Sequence, residues 1–131
     1  MIVVDTTVWV DYLRGADTPE VRWLELNLER QRLGLVDLIL CEVLQGTTSP
    51  ADFRAVQREL LRFEVFATGG IPLAIAAAGH YRRLRSQGIT VRRTIDCLIA
   101  TFCLQGGHSL LHSDRDFDPF ERFLGLAVVH P

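Results

Sequence analysis

Met1-Ile2-Val3-Val4-Asp5-Thr6-Thr7 decides how the rest of the chain is read. The β-branched run favours a short strand buried on both faces, and it breaks at an acid followed by two hydroxyl residues. From Thr6 the spacing becomes helical as far as Arg14, where Gly15 closes it. A fully apolar strand passing directly into a helix opens a unit in which strands run parallel and helices cover the sheet.

The same alternation continues outward. Thr18-Pro19-Glu20 combines an N-cap, a proline at the first helical position and an acid in the first turn, and it predicts a helix to about Gln31. Leu33 to Val36 reads as a second strand, and Asp37 as the cap of a helix from Leu38 to Gln45 that stops at Gly46. Ser49-Pro50-Ala51-Asp52 is a capping-box variant for a helix reaching about Arg62, followed by a strand near Glu64 to Ala67. Pro72 opens a helix ending at Gly88, and Thr94 to Gln105 forms another, stopped by Gly106-Gly107. Ser109 to His112 is a strand, Pro119 to Phe123 a short helix and Leu126 to Val129 a last strand. The fold class is therefore α/β, with a parallel sheet covered on both faces and a site expected where strands end at their carboxyl edge.

A length of 131 residues fits one domain, residues 1–131, with a single core. Met1 enters the first strand with no basic segment and no small-residue cleavage site, and apolar stretches such as Ile71 to Gly79 are too short to span a bilayer. A soluble, cytoplasmic protein without membrane contact is the expectation. The three cysteines, Cys41, Cys97 and Cys103, sit in apolar runs without a C-x-x-C pair, which suits buried free thiols. His108 and His112 are four apart but fall on a loop and a strand, so they do not share a helical face for zinc. A net charge of −2 argues against a general nucleic-acid coat protein, and all 14 basic residues are arginine.

The informative charges are acidic. Asp5 ends the first strand; Glu42 and Asp96 lie in the apolar helices Leu38 to Leu44 and Ile95 to Ala100; Asp114 and Asp116 follow the strand that ends at His112. A carboxylate in apolar surroundings takes up a proton or finds a positive partner. Several together, two of them at strand ends, suggest a shared hard cation such as Mg2+ or Mn2+, which a cluster of carboxylate oxygens suits. The plainer alternative makes Asp96 a helix cap, Asp5 a turn residue and Glu42 a solvent-facing side chain. Asp11 and Asp37 read as surface and cap.

Four blocks then carry a resemblance: Val4-Asp5-Thr6-Thr7-Val8, Glu42-Val43-Leu44-Gln45-Gly46, Arg93-Thr94-Ile95-Asp96-Cys97-Leu98-Ile99-Ala100 and His112-Ser113-Asp114-Arg115-Asp116-Phe117. In order and spacing the chain resembles the PIN-domain ribonucleases, and within them the VapC toxins of VapBC type II toxin–antitoxin systems. The resemblance implies a three-layer α/β/α sandwich with a central parallel sheet and a metal-dependent endoribonuclease that hydrolyses phosphodiester bonds of transfer, ribosomal or messenger RNA. It implies an acidic pocket of Asp5, Glu42, Asp96 and Asp114, with Thr7 supporting the first acid. Asp5 and Asp96 are the implied primary ligands of Mg2+, with Mn2+ as an alternative, and Asp114 or Asp116 completes the site directly or through water; Glu42 orients or deprotonates water or serves a second metal.

RNA must still reach an acidic pocket, and Arg92, Arg93 and Arg115 are the candidates to hold its phosphates. Arg82, Arg83 and Arg85 could extend that rim or form a solvated face, and Arg54, Arg58 and Arg62 read as surface. The resemblance also implies a VapB-type antitoxin and a homodimer. The apolar residues of Trp9 to Leu13 and Val21 to Leu28 serve either a groove for that antitoxin or the core. A phosphoryl-accepting receiver needs a lysine this chain lacks, and an aspartyl-phosphate phosphatase needs an acid where Thr7 stands. The remaining alternative is a non-catalytic PIN-like module that binds RNA or protein.

Overall fold

The structure, a computed structural model, describes residues 1–131. Strands β1 (Ile2–Val4), β2 (Leu33–Val36), β3 (Glu64–Phe66), β4 (Ser109–Leu111) and β5 (Ala127–Val128) form one parallel sheet in the order β3-β2-β1-β4-β5. Seven helices flank it: α1 (Thr6–Leu13), α2 (Pro19–Asn27), α3 (Asp37–Gln45), α4 (Pro50–Leu60), α5 (Gly70–Ser86), α6 (Thr94–Gly106) and α7 (Asp118–Leu124).

The strand order dictates the layers. From β1 to β3 the chain steps in one direction along the sheet; it then returns past β1 to β4 and continues to β5. Crossovers between parallel strands are right-handed, so reversing the direction of travel moves the connecting helices to the opposite face. The packing agrees: α1 lies against α2 and α3, and α3 against α4, whereas α5 lies against α6 and α7. The result is the expected three-layer α/β/α sandwich. The direction reverses between β1 and β4, where Ile2 pairs with Ser109 and Val4 with Leu111, and in sheets of this kind ligands bind beyond the carboxyl ends of the strands at such a reversal.

Covering both faces removes any alternation from the central strands. Val3, Val4, Leu35, Val36, Leu110 and Leu111 are all fully buried. Gly34 is in β2 because nothing larger fits: a Cβ there would lie 2.7 Å from Met1 Sδ and 2.8 Å from the Glu64 carbonyl oxygen. Trp9, Val21 and Leu24 are core rather than groove, with the Trp9 ring 4.9 Å from that of Phe63. Trp23 and Leu28 pack against this core while remaining partly exposed.

Several boundaries differ from the sequence expectation. Helix α2 ends at Asn27 rather than Gln31, because the Asn27 carbonyl accepts from the N–H groups of Arg30 and Gln31 and turns the chain into β2. Asp37 is not the cap of α3. Val36 holds that position without a side-chain bond, and the Asp37 carboxylate accepts from the N–H of Leu38 and from the N–H and hydroxyl of Thr68, tying α3 to the segment after β3. Helix α5 begins two residues before Pro72, behind Gly69 at φ +134°. Helix α7 begins at Asp118 after a single 3-10 turn, Arg115–Phe117. Cys41 is exposed, unlike the buried Cys97 and Cys103, because α3 buries Ile39 and Val43 and position 41 lies on the far side of the helix. No helix is long and apolar enough to cross a membrane.

Candidate active site

Asp5 stands at the junction of two structures. Its N–H still donates to the Leu111 carbonyl at 2.9 Å, continuing the sheet, while its carboxylate caps α1 by accepting from the N–H of Thr7 at 3.2 Å and its hydroxyl at 2.7 Å. The residue is 2 % exposed. Burial pushes its carboxyl up from 3.8 to about 6 against the opposing Thr7 bonds, and the charges of Asp96 and Glu42 push the same way. The Thr7 hydroxyl also accepts the N–H of Ser113 at 3.2 Å, joining the start of α1 to the segment after β4.

The other acids arrive from both helical layers. Glu42, on α3, accepts from the Thr6 hydroxyl at 2.7 Å. Asp96 is the third residue of α6 and 1 % exposed, with Arg93 in the cap position, so the plain cap reading of Asp96 does not apply. Arg93 donates to it through Nε at 3.2 Å and Nη2 at 2.8 Å, and its Nη1 lies 3.5 Å from Glu42. Burial raises the Asp96 carboxyl, Arg93 opposes the rise, and Asp114 and Glu42 reinforce it. Beyond β4, Asp114 caps the 3-10 turn by accepting the Asp116 N–H at 2.9 Å, and its own N–H donates to His112 Nδ1 at 3.1 Å.

Oxygen atoms of Asp96, Asp114 and Asp116 lie within 4.8 Å of one another. Asp5 and Glu42 stand outside this trio, but the charge of Asp96 is felt at Asp5, and that of Glu42 at both Asp5 and Asp96. The donor set is made of carboxylate oxygens alone, as hard divalent cations prefer, and burial, helped by the neighbouring carboxylates, holds the carboxyls of Asp5 and Asp96 above their ordinary range, an environment that a bound cation would relieve. These residues fit a divalent metal ion.

The arginines divide. Arg93, half exposed, reaches both Asp96 and Glu42 as their counter-ion, a contact that its grouping with Arg92 and Arg115 as RNA-binding candidates did not include. Arg92 is largely exposed with Nε 4.0 Å from Asp116, and Arg115 is exposed on the 3-10 turn. Arg82 and Arg85 line a cavity of about 440 Å³ between α5 and α6. Arg54, Arg58 and Arg62 lie on the exposed surface of α4 and its end, with Arg62 paired to Glu59. Sequence reasoning also missed Thr6 and His112. The i, i+3 spacing of Arg93 and Asp96 across a helix start was a legible signal, whereas nothing local distinguishes Thr6 from Thr7.

Comparison with known proteins places this geometry. The PIN domain family matches residues 2–122. The chain is 34% identical over 132 residues to ribonuclease VapC11 of Mycobacterium tuberculosis, and equally to a VapC ribonuclease of Mycobacterium bovis, covering 98% of each chain. In fold it is similar to VapBC2 of Rickettsia felis, solved bound to a promoter DNA fragment (TM-score 0.77, 18% identity, 98% of both chains), and to FitAcB of Neisseria gonorrhoeae (TM-score 0.77, 18% identity, 100% and 98%). With Asp96, Asp114 and Asp116 clustered and Asp5 and Glu42 beside them, the chain belongs to the PIN-domain family, in its VapC branch.

Proposed function

We propose that this chain is a divalent-metal-dependent endoribonuclease and the toxin of a VapBC-type pair, with residues 1–131 acting as one PIN domain. The observation that carries the reading is the convergence of Asp96, Asp114 and Asp116 within 4.8 Å, beside a buried Asp5 whose carboxyl is pushed up to about 6. Asp96, Asp114 and Asp116 would hold the ion, Mg2+ or Mn2+, with Asp5 contributing from the end of β1. When bound, such an ion supplies positive charge for a phosphodiester oxygen and acidifies a water molecule.

The chain's own residues supply the rest. Glu42, which accepts from the Thr6 hydroxyl, would take the proton from the attacking water. Thr7 fixes Asp5 relative to the Asp114 segment through its two bonds. Arg92 and Arg115, exposed beside Asp116, receive phosphates of the RNA on either side of the cut. Arg93 offsets the negative charge that would otherwise repel that polyanion. Its partner in the cell is a VapB-type antitoxin, supported by the toxin–antitoxin complexes among its structural neighbours, and it forms a homodimer as VapC proteins are expected to.

The test is induced expression in bacteria of wild type and Asp96→Asn, with total RNA sequenced for new 5′-phosphate ends. Growth arrest and discrete new ends with wild type alone are expected. Identical RNA profiles with folded, abundant wild-type protein would reject the nuclease in favour of a binding module.

A further inference from the structure

His112 stands at the end of β4, two residues before Asp114, and its ring makes an unusual set of contacts. Nδ1 accepts the backbone N–H of Asp114 at 3.1 Å. An acceptor nitrogen carries no proton, so in the neutral ring the hydrogen sits on Nε2. Nε2 is buried and has no hydrogen-bond partner. The ring packs against Phe117, with centroids 5.0 Å apart, and Phe117 is fully buried. A buried donor without a partner is destabilising, and an apolar ring would fill this space without that cost.

What the histidine offers that an apolar ring cannot is the Nδ1 acceptor. That bond fixes the backbone at Asp114, whose Oδ1 in turn accepts the N–H of Asp116 at 2.9 Å and whose carbonyl accepts the N–H of Phe117 at 3.1 Å. The imidazole thus sets, through one backbone group, the positions of two of the three clustered carboxylates. A metal site tolerates little displacement of its ligands, and groups that orient ligands commonly change metal affinity by about tenfold or more.

We infer that His112 is a positioning residue that holds Asp114 and Asp116 in register for a divalent cation, at a cost to the stability of the metal-free fold. This rests on reading the acid cluster as a metal site. Mn2+ binding, measured by the disappearance of the free-ion electron paramagnetic resonance signal, tests it together with thermal unfolding of the metal-free proteins. His112→Phe removes the orphaned Nε2 donor but also takes the acceptor from the Asp114 N–H, two opposing changes, so it should unfold close to wild type and bind Mn2+ about tenfold more weakly. His112→Asn places its Oδ1 where Nδ1 stands and should bind within about threefold of wild type. His112→Gln, whose oxygen lies one bond further out, should behave like the Phe variant and replaces it if the latter does not fold. A merely structural histidine predicts the opposite pairing, with stability falling and Mn2+ affinity of the folded fraction unchanged. Unchanged Mn2+ affinity in the Phe or Gln variant, or an Asn variant as weak as either, overturns the role of His112 alone. Absence of Mn2+ binding by wild type overturns the metal site and this inference with it.

Discussion

Replacing Asp5 by asparagine should stabilise the metal-free protein while abolishing its cleavage of RNA. The carboxyl is 2 % exposed and its folded-state value of about 6 lies above the ordinary 3.8. A raised acid is harder to ionise when folded than when unfolded, so ionisation opposes folding. The penalty is absent below about pH 4, grows between about pH 4 and 6, and is complete above that. At about 1.4 kcal/mol per unit the full penalty is about 3 kcal/mol. Asparagine keeps an oxygen to accept from the Thr7 N–H and hydroxyl and discards the charge. In a domain of this size the gain corresponds to roughly 10 °C in melting temperature at about pH 7.5 with divalent ions chelated, and it should vanish near pH 4. Adding Mg2+ should raise the melting temperature of wild type and narrow the gap, since a ligand of the folded state stabilises it by mass action. Thermal unfolding at several pH values, with and without chelator, measures all of this. A variant that melts at or below wild type near neutral pH without metal would refute the claim that burial dominates at Asp5.

Arg93→Gln should lower metal-free stability by about 1 kcal/mol, a modest figure because the side chain is half exposed, and added Mn2+ should restore more stability in the variant than in wild type, as thermal shifts will show. Gly34→Ala should cost several kcal/mol and reduce soluble yield, because the new Cβ meets the Glu64 carbonyl, a backbone atom that cannot move without opening the β2–β3 pairing; denaturant unfolding checks it. Thr18→Ala removes the oxygen that accepts from the Val21 N–H at 3.1 Å and should cost about 1 kcal/mol in the same assay, with RNA cleavage retained.

Local pattern determined most of the architecture. The Ile2-Val3-Val4 run, the Thr18-Pro19 and Ser49-Pro50 helix starts and the Gly107 stop each act within a few residues, and the elements formed where those signals stand. The five acids were also legible, because a carboxylate amid apolar neighbours stands out along a chain whatever its fold. What local pattern missed were endings and pairings set by distant partners. Asp37 left its capping role because Thr68, far along the chain on the other side of α4 and β3, offered its N–H and hydroxyl. Helix α2 stopped early because the chain had to turn into β2 beside β1.

The sequence by itself thus determined that strands and helices alternate, that the sheet is parallel and that acids gather near strand ends, since periodicity and burial preference act through neighbours in the chain. Only the tertiary structure decided which acids meet. Asp96 and Asp114 come from different elements, a helix start and a strand end, and come together only because the strand order reverses between β1 and β4. The same reversal drew Arg93 between Asp96 and Glu42 and set His112 beneath Asp114, for a side chain's charge partners are fixed by distance in space, which no spacing along the chain records.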